Sequence, residues 1–357
     1  MLEKTFEIDG RMIGPDHSVY FIADIAANHD GSLDRAKYLI ELAKNSGADA
    51  AKFQHFQAEK IVSDFGFRNL KDPNSHQAKW KKSVYEIYED FSLPRDWTPI
   101  LKRVCDDVGI AFLSTPYDFE SANLLDPYVS AFKIGSGDID WFEFLKHICK
   151  KNKPIILATG ASSIQEVESA TSIFLSSDVN FALLQCNTNY TAEAENFRHL
   201  NLRVINEFKR RWPGRVVGLS DHTRGLAAVL GAVSLGARII ERHFTDDSQR
   251  EGPDHKFATD PAEWKLMVEE TRRLELALGI EKKNICENEV HSVVVQRRCV
   301  RAATDLTKGS SLLRSNLVVL RPATVGSIKP DQIEKIIGKT LRVDKKLGEE
   351  LRWSDFK

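Results

Sequence analysis

Eight short runs of apolar and β-branched residues recur along the chain and alternate with amphipathic segments. Such runs are typical of buried parallel strands, and the segments between them, such as residues 33–46 and 164–175, are typical of connecting helices. Eight consecutive β/α units favour an α/β protein with a closed (β/α)8 barrel, the TIM-barrel fold. The runs are VYFIADIA ending at Ala26, DAAKFQ ending at Gln54, IAFLST ending at Thr115, SAFKIGS ending at Ser136, PIILATG, NFALLQC, RVVGLSD and RIIERHF ending at Phe244.

An open, doubly wound sheet is the structural alternative for a chain that alternates strands and helices. Its dinucleotide-binding version carries the glycine fingerprint G-x-G-x-x-G at the start of the first helix. At that place this chain has ANHDGS instead. The sequence therefore favours the barrel.

A change of pattern follows the helical segment 261–279 and predicts a second, smaller domain. The polar stretch IEKKNICENEVHS suggests a linker, so we expect a barrel over residues 1–280, a linker over 281–294 and a C-terminal domain over 295–357. Within that domain, DLTKGSSLLRSNL from Asp305 and DKKLGEELRWSDF from Asp344 share an acidic start, a glycine and a leucine at matching positions. This weak repeat predicts a compact module of short strands and turns with local pseudo-symmetry.

The charge balance excludes a global preference for polyanions. Lys and Arg number 50 against 51 Asp and Glu, for a formal net charge of -1. No field of one sign draws nucleic acid or an anionic membrane to such a chain, and no apolar run approaches the roughly 18 residues of a membrane span. We therefore expect a soluble, cytoplasmic protein with small-molecule partners.

Polar residues are concentrated where the predicted strands end. The C-terminal ends of barrel strands meet at one face, where barrel enzymes build their active sites, so we expect these side chains to converge there. The candidates are Asp24, Lys52, Gln54, Thr115, Lys133, Ser136, Asp138, Ser163, Thr188, Tyr190, Ser220, His222, Glu241 and His243.

Two lysines among these candidates indicate an anionic ligand. Lys52 and Lys133 would project into the barrel, where an unpaired ammonium group is costly to bury. The glycine-containing turns KIGSGD and ATGASS add hydroxyl and backbone donors. The sequence therefore predicts a ligand that carries both a phosphate and a carboxylate.

His222 and His243 end the seventh and eighth predicted strands, so their imidazoles can converge. Two imidazoles leave most coordination positions open to water or substrate, as a catalytic Lewis acid requires. A structural role is the alternative for either histidine alone. The following loop, REGPDHKF, adds Arg250, Asp254 and His255 as candidate substrate contacts.

Ordered motifs along nearly the whole chain resemble the bacterial sialic acid synthases. They are IADIAANHDGSLDRAK, AKFQ, STP, FKIGSGD, GLSDHT, ERHFTDD and GPDH, and RAATDLTKGSSLL with LRPATVG is similar to the family's C-terminal antifreeze-like (SAF) domain. The resemblance implies condensation of phosphoenolpyruvate with an N-acetylmannosamine-type sugar to give a nonulosonic acid, with Mn²⁺ or Mg²⁺.

The resemblance also implies roles for individual residues. Asp24 would stabilise a cation at C2 or position a water, helped by Asp138. The family further implies a domain-swapped homodimer in which Arg321 of one subunit reaches the sugar bound by the other. Phosphoenolpyruvate would be held by Lys52, Thr115, Lys133, Ser136, Ser163 and Ser220, the metal by His222 and His243, and the sugar by Gln54, Tyr190, Glu241 and Asp254.

Departures from the family pattern leave the acceptor sugar open. Asp24 stands where the family more often has Glu, and Thr188 and Thr191 replace a common asparagine and proline near the sugar. The product is N-acetylneuraminate, a diacetamido relative such as legionaminate, or another nonulosonate. Two rival functions are an aldolase that forms a Schiff base between Lys133 and pyruvate, and a noncatalytic carbohydrate- or ice-binding protein based on the C-terminal module.

Overall fold

The computed structural model describes residues 5–70, 77, 80–191 and 193–357. The chain divides into two compact units, residues 1–279 and 280–357. The stretch expected to be a linker falls inside the second unit and is partly helical.

The first unit begins with a short antiparallel pair and continues as eight parallel strands. The antiparallel pair is β1 (Phe6–Ile8) and β2 (Arg11–Ile13), and the parallel strands are β3 (Tyr20–Asp24), β4 (Ala50–His55), β5 (Ala111–Pro116), β6 (Phe132–Ile134), β7 (Ile155–Ala158), β8 (Phe181–Cys186), β9 (Val216–Asp221) and β10 (Ile239–His243).

The eight parallel strands form a nearly closed barrel. Their hydrogen-bonded order is β5-β4-β3-β10-β9-β8-β7-β6, and the two end strands, β5 and β6, contact each other. All eight predicted runs are strands, so the barrel prediction is confirmed and the open-sheet alternative is wrong.

Eleven helices are described in the first unit, and some begin at a capping side chain. Ser32 and Asp118 cap two of them by accepting backbone N–H groups of the first turn. The helices are α1 (Leu33–Asn45), α2 (Ala58–Ile61), α3 (Asp64–Asn69), α4 (Val84–Asp90), α5 (Thr98–Val108), α6 (Phe119–Leu125), α7 (Phe142–Cys149), α8 (Ile164–Ser176), α9 (Val204–Arg211), α10 (Ala227–Ser234) and α11 (Pro261–Leu278).

The β1–β2 hairpin belongs to the barrel core, although the sequence analysis did not anticipate it. Phe6, Ile8 and Ile13 are buried in the same apolar cluster as inward side chains of the parallel strands. The turn residues Asp9 and Gly10 have φ values of 43° and 79°, which suits a tight hairpin. The Asp-Gly pair between two segments of alternating apolar residues is the sequence pattern that indicates this hairpin.

The inward side chains change character along the barrel axis. At the N-terminal side they are apolar and buried, as at Ile22, Leu113 and Ile239. One step further along β3 and β10, the inward positions hold Asp24 and Glu241, because strand side chains alternate between the two faces. The polar layer is therefore supported from below by a packed apolar layer.

The second unit is a small module with an internal pseudo-twofold arrangement. It contains α12 (Val290–Gln296) and the antiparallel strands β11 (Cys299–Ala302) and β12 (Leu317–Leu320). Asp305 accepts the Leu347 N–H at 2.8 Å, and Asp344 accepts the Lys308 N–H at 2.7 Å. These reciprocal contacts confirm the predicted sequence repeat.

Among the described residues, no helix is long and apolar enough to span a membrane.

We predict that Gly218→Ala lowers the free energy of unfolding by about 1–3 kcal/mol through overpacking. A Cβ atom there would lie 2.4 Å from the backbone oxygen of Ile239 and 2.5 Å from a Leu184 methyl. Gly137→Ala is the control, because nothing lies within 4 Å of its added Cβ. Thermal unfolding followed by circular dichroism measures both. Equal melting temperatures for the two variants would contradict the packing.

Candidate active site

A cavity of about 400 Å³ opens at the C-terminal ends of the barrel strands. Most residues predicted from the strand ends line it, which is the convergence expected from parallel strands. They are Asp24, Lys52, Gln54, Thr115, Lys133, Ser136, Thr188, Tyr190, Ser220, His222, Glu241 and His243.

Two lysines and two carboxylates form the charged core of this cavity. Lys52 Nζ donates to Asp24 Oδ2 at 2.6 Å and lies 3.8 Å from Glu241 Oε2. Glu241 Oε1 lies 3.4 Å from Lys133 Nζ, and all four side chains are buried. The lysines are therefore paired within the protein, whereas the sequence argument treated them as unpaired.

Burial and charge act in opposite directions on the carboxylates. Burial raises the pKa of Glu241, but Lys133 and Lys52 outweigh it and lower that pKa to about 2. Burial dominates at Asp24 and raises its pKa, although Lys52 opposes the shift. Burial lowers the pKa of Lys52, but Asp24 and Glu241 together raise it above its ordinary value. Glu241 is therefore the carboxylate held ionised between the two lysines.

One wall of the cavity carries serine hydroxyl groups and glycine-containing turns. Ser136 Oγ accepts the Gly160 N–H at 2.8 Å and so joins the two turns that follow β6 and β7. A Cβ at Gly160 would lie 2.4 Å from the Thr188 methyl, so the close approach requires glycine. Together with Lys133, this wall suits an anion.

Ser163 lies outside the cavity lining. Its hydroxyl caps α8, accepting the Glu166 N–H at 3.4 Å and donating to the Glu166 carboxylate at 2.7 Å. The neighbouring Ser162 lines the cavity instead. The S-x-x-E capping pattern was visible in the sequence and indicated this role.

The imidazoles of His222 and His243 come together, with ring centroids 5.5 Å apart. His222 Nδ1 lies 2.9 Å from the Asn187 carbonyl oxygen, which makes it the protonated nitrogen and leaves the Nε2 lone pair available. His243 Nε2 lies 3.7 Å from Asp24 Oδ2. Burial lowers the pKa of both histidines to about 4, so both are neutral near pH 7.

Two neutral imidazoles fit a divalent metal ion. The buried His243 Nδ1 has no hydrogen-bond partner in the described part of the chain. No group of three or more His, Cys, Asp or Glu side chains arranged for metal binding occurs within the described ranges. A metal ion held by these two imidazoles would leave most of its coordination positions to water or substrate oxygen.

Arg250 and His255, which we expected to contact substrate, instead hold the loop that carries Asp254. The buried His255 ring lies between Thr245 Oγ1 at 2.7 Å and Asp30 Oδ1 at 2.8 Å. Arg250 donates to the other Asp30 oxygen at 2.8 Å. Asp254, fixed in this way, accepts the Ala27 N–H at 3.2 Å and lies 4.0 Å from His243 Nδ1.

A second cavity of about 160 Å³ adjoins the first. It shares Gln54, Tyr117, Tyr190 and His243 with the charged cavity and also touches Asp254. Its other wall is aromatic and aliphatic, which the sequence analysis missed, although two of its members directly follow β4 and β5. That wall includes Phe56, Trp80, Ile87, Tyr88, Phe91 and Tyr117.

Arg321 lies in the second unit and is exposed. Its contact with a sugar in another subunit stays a prediction.

The half-buried Asp138 does not line the cavity, although its neighbours Gly137 and Ile139 do. Its Oδ2 atom is buried and has no hydrogen-bond partner within the described chain. Burial raises the pKa of Asp138 to about 6, and Lys133 opposes the shift. Asp138 therefore titrates near neutral pH.

Comparison with known proteins identifies both units. The NeuB family model matches residues 39–283, and the SAF domain model matches residues 297–357. The chain is 36% identical to an N,N'-diacetyllegionaminic acid synthase of Campylobacter jejuni, covering 93% of this chain and 98% of the relative. It is 32% identical to the human N-acetylneuraminate-9-phosphate synthase, and the match covers 96% of this chain and 95% of that relative. The fold is also similar to the crystal structure of an N-acetylneuraminic acid synthetase from Leptospira borgpetersenii in complex with citrate. The two superpose with a TM-score of 0.71 at 28% identity, and the match covers 82% of this chain and 96% of that chain.

We predict that Asp138→Asn stabilises the protein in a pH-dependent way. The folded pKa of about 6 exceeds the usual unfolded value of about 3.9, so the stability present below about pH 4 is lost as the pH rises to about 6. Because asparagine does not ionise, the variant avoids this loss of unfolding free energy, which is at most about 2–3 kcal/mol. The melting temperature of Asp138→Asn minus that of the native protein should therefore grow from pH 4 to pH 7. Asp16→Asn, at an exposed position, is the control, and a constant difference for Asp138→Asn would refute the assignment.

Proposed function

The chain belongs to the NeuB family, and from that premise we propose that it condenses phosphoenolpyruvate with an N-acetylmannosamine-type sugar. The products would be a nonulosonic acid and phosphate. A diacetamido sugar, which would give a legionaminate-type product, is the alternative acceptor. Synthesis of such acids is what the named relatives have in common.

The observation that supports this proposal is the division of the charged cavity. Lys133, Ser136 and the turn at Gly160 form a wall that suits an anion, and His222 and His243 line the same cavity. Phosphoenolpyruvate carries the phosphate and carboxylate that such a wall suits. An aldehyde oxygen of the sugar suits the histidine side.

We include Mn²⁺ or Mg²⁺ in the proposal, held by His222 and His243. When bound, the ion would supply Lewis-acid polarisation of the sugar aldehyde. The Asn187 carbonyl fixes the tautomer and orientation of His222 before substrate arrives. Asp254 lies 4.0 Å from His243 Nδ1.

The remaining chemistry would be carried out by the charged core. Carbon C3 of phosphoenolpyruvate attacks the aldehyde carbon, the new C–C bond forms, and positive charge develops at C2. Asp24, held by Lys52 and Gln54, offers a carboxylate to stabilise that charge or to position the water that adds to C2. One proton of the added water passes to the alkoxide oxygen formed from the aldehyde. The C2=O bond then forms as the second proton is lost and phosphate leaves with the electrons of its C–O bond. Lys133 would hold the phosphate, and Asp138, with its pKa of about 6, would accept the second proton and pass it to phosphate.

The first test is phosphate release from phosphoenolpyruvate, with and without Mn²⁺, across N-acetylmannosamine, mannose and 2,4-diacetamido-6-deoxy sugars. We expect metal-dependent release with at least one N-acetylated sugar. His222→Ala should lower the rate by at least about 100-fold, because the metal loses one of its two protein ligands. Metal-independent turnover of pyruvate, with borohydride trapping of Lys133, would identify a Schiff-base aldolase instead.

We also propose the domain-swapped homodimer, in which Arg321 completes the sugar site of the other subunit. Mixing Arg321→Ala and His222→Ala subunits should then restore activity. Random exchange leaves half of the dimers mixed and one of two sites intact in each, about a quarter of the native activity. The single variants alone are the controls. No recovery after exchange verified by mass spectrometry would show that Arg321 does not act between subunits.

A further inference from the structure

A buried ion pair lies directly behind the two histidines of the charged cavity. Asp221 and Arg242 each precede one of these histidines in the sequence. They stand opposite each other in the register of β9 and β10, and Arg242 Nε lies 3.5 Å from Asp221 Oδ2. His222 and His243 line the cavity, and strand side chains alternate between the two faces, so the ion pair is on the outer face of the barrel.

The surroundings of this ion pair are otherwise apolar. Leu219 and Ile240, the preceding outward residues of β9 and β10, belong to the large apolar cluster that also contains side chains of α10 and α11. Asp221 and Arg242 are themselves 1% and 2% exposed. Replacing a buried ion pair by packed apolar side chains of similar volume is often neutral or stabilising. The stability of the barrel therefore does not by itself account for the two charges.

The contacts of the pair fix the backbone on both sides of His222. Asp221 Oδ1 accepts the Thr223 N–H at 3.0 Å and the Thr223 hydroxyl at 2.8 Å. Arg242 donates to the carbonyl oxygens of Thr223 and Gly225, the latter at 3.1 Å. The turn that begins at His222 is therefore bound to β10, the strand that carries the second histidine.

Helix α11 holds the guanidinium group and the same turn. Glu263 Oε1 lies 3.6 Å from Arg242 Nη1 and accepts the Gly225 N–H at 2.6 Å. Met267 Sδ lies 3.8 Å from the same guanidinium nitrogen. A planar guanidinium group with five N–H donors can serve several acceptors at once in a fixed geometry, which an ammonium group does not match.

We propose that Asp221 and Arg242 are positioning residues, which set the distance and orientation of His222 and His243 relative to each other. The observation that carries this proposal is that one buried side-chain pair connects the backbone segments of both histidines. The consequence for a metal ion rests on the proposed function, whereas the positioning itself does not. Partners that orient metal ligands generally affect metal affinity by about 10–100-fold when they are substituted.

The double variant Asp221→Asn, Arg242→Met tests the proposal without leaving an unpaired charge of this pair in the interior. Asparagine has the size of aspartate, and methionine replaces most of the apolar stem of arginine, so the variant should fold. Arg242→Lys is a second variant. It keeps a positive charge but lacks the planar group that serves both carbonyl oxygens, and it decides by the same criteria if the double variant does not fold.

The control variant is Arg11→Met, Asp49→Asn. It removes a matched ion pair at the opposite end of the barrel, where Asp49 directly precedes β4. Melting temperatures of the full-length proteins show that all variants are folded.

The first readout is the affinity for Mn²⁺, measured by electron paramagnetic resonance of the free ion. The double variant should bind Mn²⁺ at least about tenfold more weakly than the native protein, because the two imidazoles are no longer held in one arrangement. The control should bind it as the native protein does.

The second readout is proton NMR of the metal-free protein, which tests positioning without a metal ion. The Nδ1–H group of His222, which donates to the Asn187 carbonyl oxygen, should give a ring N–H resonance that His222→Ala lacks. We expect this resonance to be lost or broadened in the double variant and kept in the control.

Absence of this resonance from the native protein, its preservation in the folded double variant, or an equal loss in the control would overturn the proposal. An unchanged Mn²⁺ affinity of the double variant would also overturn it. If the native protein binds no Mn²⁺, the metal site of the proposed function fails separately, and the resonance alone decides the positioning.

Discussion

The buried cluster of Asp24, Lys52, Lys133 and Glu241 is the interaction on which the rest of the site depends. Removing one member of such a buried ion pair generally costs about 3–5 kcal/mol, because the remaining charge is left uncompensated. The cluster joins two lysines to two carboxyl groups, and the short contact joins Lys52 to Asp24. Lys133 lies further from its carboxylate, at 3.4 Å, and is the lysine better placed to turn toward an incoming anion.

The barrel provides the rigidity that this cluster requires. Strand register places Asp24 beside Lys52 on one side and beside His243 on the other. Because these residues are in regular strands above a packed apolar layer, their positions depend on the whole barrel. Contacts between loops fix the residues around the mouth of the cavity. The hydrogen bond between Asp30 and His255, for example, holds the segment that carries Asp254.

The sequence predicted the parts of the structure that follow from periodicity and chain direction. Eight apolar runs predicted eight strands, and parallel strands bring their C-terminal ends together, so Lys133, Glu241 and His243 were expected in one cavity. Other features depend on contacts between distant segments. Whether His255 faces a substrate or Asp30 is decided across more than 200 residues. The aromatic wall joins residues of β4, α4 and β5 loops, which no local pattern connects.

Some of the missed features had local signals. The Asp9-Gly10 turn and the Ser163–Glu166 capping box are both short sequence patterns with defined geometry. The lysine argument was incomplete for a different reason. The cost of burying an ammonium group shows that each lysine needs a partner. Only the fold shows whether that partner is a ligand or Glu241.

Calorimetric titration of phosphoenolpyruvate into the full-length protein, without sugar, tests most directly that the cavity is an anion site prepared by this cluster. We expect one molecule to bind per chain, and Lys133→Gln to weaken binding by at least about tenfold while the melting temperature shows a folded protein. Absence of binding to the native protein, or equal binding by Lys133→Gln, would contradict the account.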